Sequence, residues 1–221
     1  MATNLTQQLD TPAPPNLGTP DVLYSESYFR QTNGGLNVYF NKLRNLFGAL
    51  LGPRGGKWMN NPYGAFQDST DQTAANTTTA YAITFDTTDF TNGVTLSNSS
   101  RLNVAQAGIY NLQFSIQFKN TTNDGQDVDV WFRKNGTNID NSNSRFHLPA
   151  RKSGGDPSHL IAALNFFVSL AASDYVEIMW RPTDVGVSLE HFATSSSPTR
   201  PAIPSVIATL SFVSNLSTET A

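Results

Sequence analysis

From Gly108 to Phe118 apolar and polar residues alternate without interruption. Tyr110, Leu112, Phe114, Ile116 and Phe118 share one side, and Asn111, Gln113, Ser115 and Gln117 the other. A period of two is that of a β-strand with one buried and one polar face. The pattern recurs. Val128, Val130 and Phe132 alternate with Asp127, Asp129 and Trp131, and Lys134-Asn135-Gly136-Thr137 then supplies an Asn-Gly hairpin turn. Leu160, Ala162, Leu164, Phe166, Val168 and Leu170 form a second long run, followed by a turn at residues 171–174 and a strand over 175–180. Val206, Ala208, Leu210 and Phe212 form the last. Shorter strands are predicted at 63–67, 81–85, 94–96, 101–104 and 187–192. About ten strands with frequent turns and no intervening helical period predict an all-β sandwich or jelly roll over residues 62–214.

The first quarter of the chain reads differently. Residues 1–20 carry Pro12, Pro14, Pro15 and Pro20 with no repeating apolar positions, so an extended arm is expected. Over residues 21–52, Phe29, Leu36, Phe40, Leu43, Phe47 and Leu50 fall on one seam, spaced 4, 3, 4, 3 from Leu36 onward. That is the a/d spacing of a coiled coil. The Gly34-Gly35 pair predicts a break, with a second helix from about Leu36 to Leu51, and Gly52-Pro53 stops it. A helix of about fifteen residues is marginal alone, so the seam needs a partner. It packs on the chain's own domain, on copies of itself around an axis, or on a membrane surface. Against the last, the bulky residues keep to the seam and only Lys42 and Arg44 flank it. Residues 53–61 read as a Gly-rich linker and 215–221 as a tail.

Composition narrows the class. Of 221 residues 14% are charged, where roughly 25% is usual, while Thr, Ser and Asn number 24, 21 and 21. With 38% hydrophobic residues and a net charge of −3, neither wholesale disorder nor a nucleic-acid binder is expected. No Cys is present, which excludes disulfides, thiolate metal sites and Cys nucleophiles. Met1 to Asp10 has neither a basic nor an apolar region, so no signal peptide is expected, and no apolar run reaches the roughly 20 residues that span a bilayer. Between Ser27 and Gln67 there is no acid but five cations, Arg30, Lys42, Arg44, Arg54 and Lys57. This charge asymmetry marks a boundary between arm-plus-helix and head.

The order of a short aromatic strand at 81–85, then Arg101-Leu102-Asn103-Val104-Ala105-Gln106-Ala107-Gly108-Ile109-Tyr110, the long strand through Phe118, Val130-Trp131-Phe132-Arg133-Lys134-Asn135-Gly136, the turn with Asp174 and the closing stretch from Ile203 to Phe212 resembles the C1q/TNF-like jelly roll. Within that fold, Asn61-Pro62-Tyr63-Gly64-Ala65-Phe66, Ser197-Pro198-Thr199-Arg200-Pro201 and Ala202-Ile203-Pro204-Ser205-Val206 are similar to C1q-like domains of tailed-bacteriophage structural proteins. The resemblance covers about two thirds of the chain. It implies a homotrimer with a binding or structural role rather than an enzymatic one. The Leu36–Leu50 seam then becomes a three-helix stalk, and the arm docks on other virion proteins (capsid, portal or tail). The expected role is a phage surface appendage, a short fibre or spike, binding a host-surface glycan or protein. Alternatives are a capsid decoration protein that stabilises the head shell, and a secreted C1q-like lectin. No nucleic acid, membrane insertion or cofactor is expected.

Catalytic and metal motifs are missing from the sequence. His147, His159 and His191 lack metal-type spacing, and no Gly-x-Ser-x-Gly elbow occurs. Asp124, Asp127 and Asp129 offer either an oxygen-ligand Ca²⁺ site or solvated edge carboxylates. Glu177 and Glu190 form a glycosidase pair only if folding joins them. Asn-x-Ser/Thr occurs at Asn4, Asn76, Asn98, Asn120, Asn135 and Asn215, as the abundance of Asn and Thr produces by chance. Trp131, Trp180, Trp58, Phe192 and Tyr63 are the aromatics to weigh as binding groups. Trp131 is out of phase with the core side of its strand, so it is an intersubunit contact, a sugar platform or covered by a loop. Arg145, Arg151 and Lys152, beside Gly154-Gly155, are expected in a polar loop at the outer rim, where receptor contacts sit.

Overall fold

The structure is a computed structural model and describes residues 13–17, 25–51 and 61–215. The chain divides into two compact units, residues 1–60 and 61–221. Most of the predicted arm, including Pro12 and Pro20, and most of the linker lie outside the described residues, as do residues 216–221.

In the first unit one helix, α1 (Glu26–Leu51), runs unbroken through Gly34 and Gly35. The predicted break is absent. Two glycines cost about 1 kcal/mol each against alanine, whereas a break leaves further backbone groups unpaired and requires a second helix nucleation. Ser25 caps the start, its Oγ accepting the Tyr28 N–H at 3.3 Å. Glu26 sits in the first turn, where the helix dipole favours an acid, and pairs with Arg30 at 2.6 Å. Of the arm, Pro14 and Pro15 are described. Pro15, with Ala13, lines a cleft against Gly34, Gly35, Val38, Tyr39 and Lys42.

The second unit is all antiparallel β. Its strands are β1 (Tyr63–Asp68), β2 (Gln72–Thr73), β3 (Tyr81–Ala82), β4 (Thr87–Asn92), β5 (Val94–Ser97), β6 (Arg101–Val104), β7 (Gly108–Asn120) and β8 (Gln126–Lys134). They continue as β9 (Thr137–Asn138), β10 (Ser144–Leu148), β11 (Ser158–Leu170), β12 (Tyr175–Pro182), β13 (Val187–Leu189), β14 (Ser195–Ser196), β15 (Thr199–Arg200) and β16 (Val206–Ser214). One sheet runs β2-β13-β7-β16-β1-β4, with β11 on the other edge of β7. The second runs β10-β8-β12-β6-β5, with β3 on β12 and β9 on β8. β14 and β15 form a small separate hairpin.

The strands missing from the sequence reading are short or peripheral. β4 pairs only with β1 and is largely exposed, so Thr87–Asn92 has no buried face to impose alternation. The expected 81–85 strand shortens to Tyr81–Ala82. Beyond it Ile83 donates to the Ile178 carbonyl at 2.8 Å and Phe85 to that of Ser99 at 2.7 Å, off the regular ladder.

The core lies between the two large sheets. Tyr110, Leu112, Phe114, Ile116 and Phe118 of β7 are buried, as are Val130, Phe132, Val206 and Leu210, while Leu164, Phe166 and Phe212 are partly buried against them. Phe132 of the second sheet closes on two rings of the first, at 4.7 Å from Phe166 and 6.0 Å from Phe114 between centroids. Trp180 is 1% exposed beside Phe118 and Tyr81, so it is a core residue rather than a binding aromatic. Burial pushes the Tyr110 hydroxyl up to about 12, and its O–H donates to the Gln106 carbonyl at 2.8 Å. The Asn-Gly hairpin has both central residues at positive φ, Asn135 at 49° and Gly136 at 82°, the geometry that matches strand twist. Asp174, at the β11–β12 turn, ties it down by accepting from Asn135 Nδ2 at 2.6 Å and the Ala171 N–H at 2.8 Å.

Phe132→Ala removes the ring between Phe114 and Phe166. It should cost about 3–5 kcal/mol, read as an earlier urea midpoint at unchanged slope. Burial alone would raise the Asp174 pKa, but the Asn135 and Ala171 hydrogen bonds and Lys134 overcome it and hold the carboxyl below its ordinary range. The unfolded chain therefore takes up this proton first on acidification. The contribution is whole above the ordinary carboxylate range and is lost as pH falls through the depressed folded value. Asp174→Asn should lower the neutral-pH melting temperature and flatten its decline in acid.

Candidate functional site

Two surfaces of the head stand out. The first is a cleft on the outer face of the second sheet, of about 350 Å³, lined by Asp129 and Trp131 of β8, Asn138 of β9, the segment Ile139, Asp140, Asn141 and Asn143, and Arg181 of β12. Because Val128, Val130 and Phe132 go to the core, Asp129 and Trp131 must point outward. Asp129 sits in register with Arg181 on one side and Arg145 on the other. Its Oδ1 accepts from Arg145 Nε at 2.8 Å and its Oδ2 from Arg181 Nη2 at 3.3 Å. The hydrogen bond and charge of Asp129 push the Arg145 guanidinium still higher. Trp131 is half-buried, and its Nε1–H donates to Asn138 Oδ1 at 2.8 Å, which fixes the indole. The segment beside it is anchored from beneath. Buried Ser142 accepts the Phe132 N–H at 3.1 Å and donates to the Ile139 carbonyl at 2.7 Å, and Asn141 takes a positive φ of 59°.

The second surface is the outer face of the first sheet. Cross-strand register aligns Ile161, Ala163, Asn165 and Phe167 of β11 with Gln117, Ser115, Gln113 and Asn111 of β7. Ile207, Thr209 and Ser211 of β16 continue the rows. None of these residues is charged. Ile161, Phe167 and Ile207 are 62%, 58% and 43% exposed. β11 pairs only with β7, so its thirteen residues form an open edge. Asn111 Oδ1 is inaccessible and has no hydrogen-bond partner.

The expected rim cluster of Trp131, Arg145, Arg151 and Lys152 divides. Arg145 lies on β10 rather than in a loop, because its strand completes the β8 edge and pairs it with Asp129. Arg151 Nε instead donates to Asn123 Oδ1 at 2.8 Å, and the Lys152 N–H to the Asp156 carbonyl at 2.9 Å, in a different loop. The expected seam residues all lie on α1. Phe40 and Phe47 are 59% and 53% exposed and Leu36 and Leu43 half-buried, while the Leu50 side chain lies outside the described residues. Trp58 also lies outside them. Tyr63 packs edge-on to Phe90, and Phe192 lies between His159 and Arg200.

Of the carboxylates considered for chemistry, Asp127, Asp129, Glu177 and Glu190 are engaged elsewhere. Asp127 pairs with His147 at 2.8 Å and Asp129 with two arginines, so neither is a free Ca²⁺ ligand. Glu177, 2% exposed, takes Arg133 and Ser100 within the second sheet. Glu190, beyond β13 of the first, takes Lys119 and His159. The two glutamates are bound into separate networks. Among the described residues no group of three or more metal-ligating side chains converges, and no helix is long and apolar enough to cross a membrane.

No protein-family model and no curated protein matches the chain.

The segment facing Trp131 depends on one hydroxyl. Ser142→Ala leaves the buried Phe132 N–H without its acceptor and should cost about 1–3 kcal/mol, measured by urea denaturation. The segment opens first, read as faster amide exchange at residues 139–143.

Proposed function

We propose that the chain is a non-enzymatic homotrimeric structural protein of a bacteriophage virion, a short fibre or spike whose arm docks on the particle and whose head faces outward to bind the host surface. The observation that carries the self-association is the uncharged stretch of the first sheet's outer face that runs over residues 111–117, 161–167 and 207–211. Protein interfaces are depleted of charge at their centre and enriched in large apolar residues. A face holding Ile161, Phe167 and Ile207 in the open, beside a strand edge unpaired among the described residues, has that composition. Left uncovered, such an edge is an aggregation hazard. Copies of the same chain would cover it.

Two further features support the reading. In chain order the eight principal strands are β1, β6, β7, β8, β10, β11, β12 and β16. They lie 1-8-3-6 in one sheet and 2-7-4-5 in the other. Successive strands thus mostly change sheet, as in a jelly roll. The unbroken α1 keeps the 4, 3, 4, 3 seam on one straight face with its phenylalanines exposed, as a stalk strand requires before assembly. The virion assignment comes from the resemblance to C1q-like phage domains. A capsid decoration protein has the same parts and differs in where the arm is seated.

Light scattering on the full chain tests the oligomer, with three times the chain mass expected. Ile161→Asp with Phe167→Asp places charges at exposed positions, so the fold should survive by circular dichroism while the mass falls. Single-chain mass for the unmodified protein would sink the proposal.

A further inference from the structure

The cleft over Trp131 has a chemistry of its own. The indole N–H is already committed to Asn138, so the ring has its apolar face left to offer. Around it the exposed side chains of Asp140, Asn141 and Asn143 make no hydrogen bond or ion pair among the described residues. A carboxylate and two amides in one short segment supply both acceptors and donors at closely spaced points. That segment's backbone is held by buried Ser142, and the indole by Asn138, so the ring and the chain that carries the polar groups are in place before any ligand arrives.

Charge selects among ligands. Asp129 bonds to both Arg145 and Arg181, and with Asp140 the four groups carry no net charge. A charged ligand finds no counter-charge there, and a neutral one is favoured. Ile139 is the one aliphatic residue in a lining otherwise made of Trp131 and polar or charged side chains, which suits a ligand with both an apolar face and polar groups. Its 350 Å³ is at the small end of the roughly 300–1,000 Å³ typical of small-molecule sites.

We propose that this cleft is a saccharide subsite for one neutral hexose or N-acetylhexosamine unit, whose apolar C–H face stacks on Trp131 while its hydroxyls bond to Asp140, Asn141 and Asn143. The inference extends the reading of the head as an outward-facing binding module and does not need the trimer. It makes Trp131 a ligand contact rather than a subunit contact.

The full chain labelled with 5-fluorotryptophan gives one fluorine signal for each of its three tryptophans, and loss of a signal in Trp131→Phe identifies the reporter. Glucose, galactose, mannose and N-acetylglucosamine are titrated in turn. At least one should move the Trp131 signal saturably while the signal of buried Trp180 stays still. Trp131→Ala, titrated with the same sugar by isothermal calorimetry because it lacks the reporter, should weaken binding about tenfold, the scale of one aromatic stack. Asp140→Ala, at an exposed side chain without partners, should leave the fold intact and weaken binding several-fold. No saturable shift with any of the four sugars overturns the proposal, as does binding unchanged in Asp140→Ala and Trp131→Ala. A Trp131 signal that moves with protein concentration and not with sugar makes the cleft a subunit contact, and also overturns it. Light scattering on the same samples separates the two readings. Trimer mass without a sugar response sinks the subsite alone, and a sugar response at single-chain mass sinks the trimer alone.

Discussion

Closure of the two sheets on Phe132 is the constraint from which the rest of the head follows. Its ring lies between Phe114 and Phe166, so β8 is locked face-inward against β7 and β11. A strand with that face fixed has no freedom in the other. Asp129 and Trp131 must look outward from β8, and Asn111, Gln113, Ser115 and Gln117 from β7. Both candidate surfaces are therefore the reverse sides of strands whose fronts make the core. A slip of one residue in β8 would bury a carboxylate and expose Phe132, and one in β7 would bury amides and expose Phe114 and Phe118.

The two outward faces are built differently, and the difference tells their roles apart. The outer face of the first sheet has an uncharged stretch across β7, β11 and β16, with Ile161 and Phe167 on the edge strand. It is suited to covering by another protein surface. The outer face of the second sheet is notched and charge-balanced, with Asp129 holding two arginines across three neighbouring strands. That ladder leaves a firm floor and commits its own polar groups. The unused ones lie in the segment after β9. A neutral sheet face is suited to another protein surface, and a small notch with an aromatic wall to a small polar ligand.

The helix poses a separate problem. Its apolar seam is exposed in the single chain, and α1 carries basic residues without acidic ones beyond its first turn. Continuity through Gly34 and Gly35 matters because a kink would rotate Phe29 away from the Leu36–Phe47 row. The sequence raised the cost of helix at this point, but not enough to outweigh the hydrogen bonds and second nucleation that a break entails.

The sequence by itself determined the strands whose pattern is enforced locally. Tyr110 to Phe118, Leu160 to Leu170 and Val206 to Phe212 advertise their buried side, because period two is a property of neighbouring residues. It also determined the hairpin at Asn135-Gly136, where positive φ selects the residues. Tertiary structure alone decided what lies side by side. Arg145 became a strand residue because β8 offered it a free edge, and Trp180 became core because its side of β12 faces the first sheet beside Phe118. The neutral face unites residues of β7, β11 and β16 some fifty positions apart. The cleft exists because Ser142 folds its segment back beneath Trp131. Each depends on register between distant strands or on the closing of a loop, which hydrophobic periodicity does not encode.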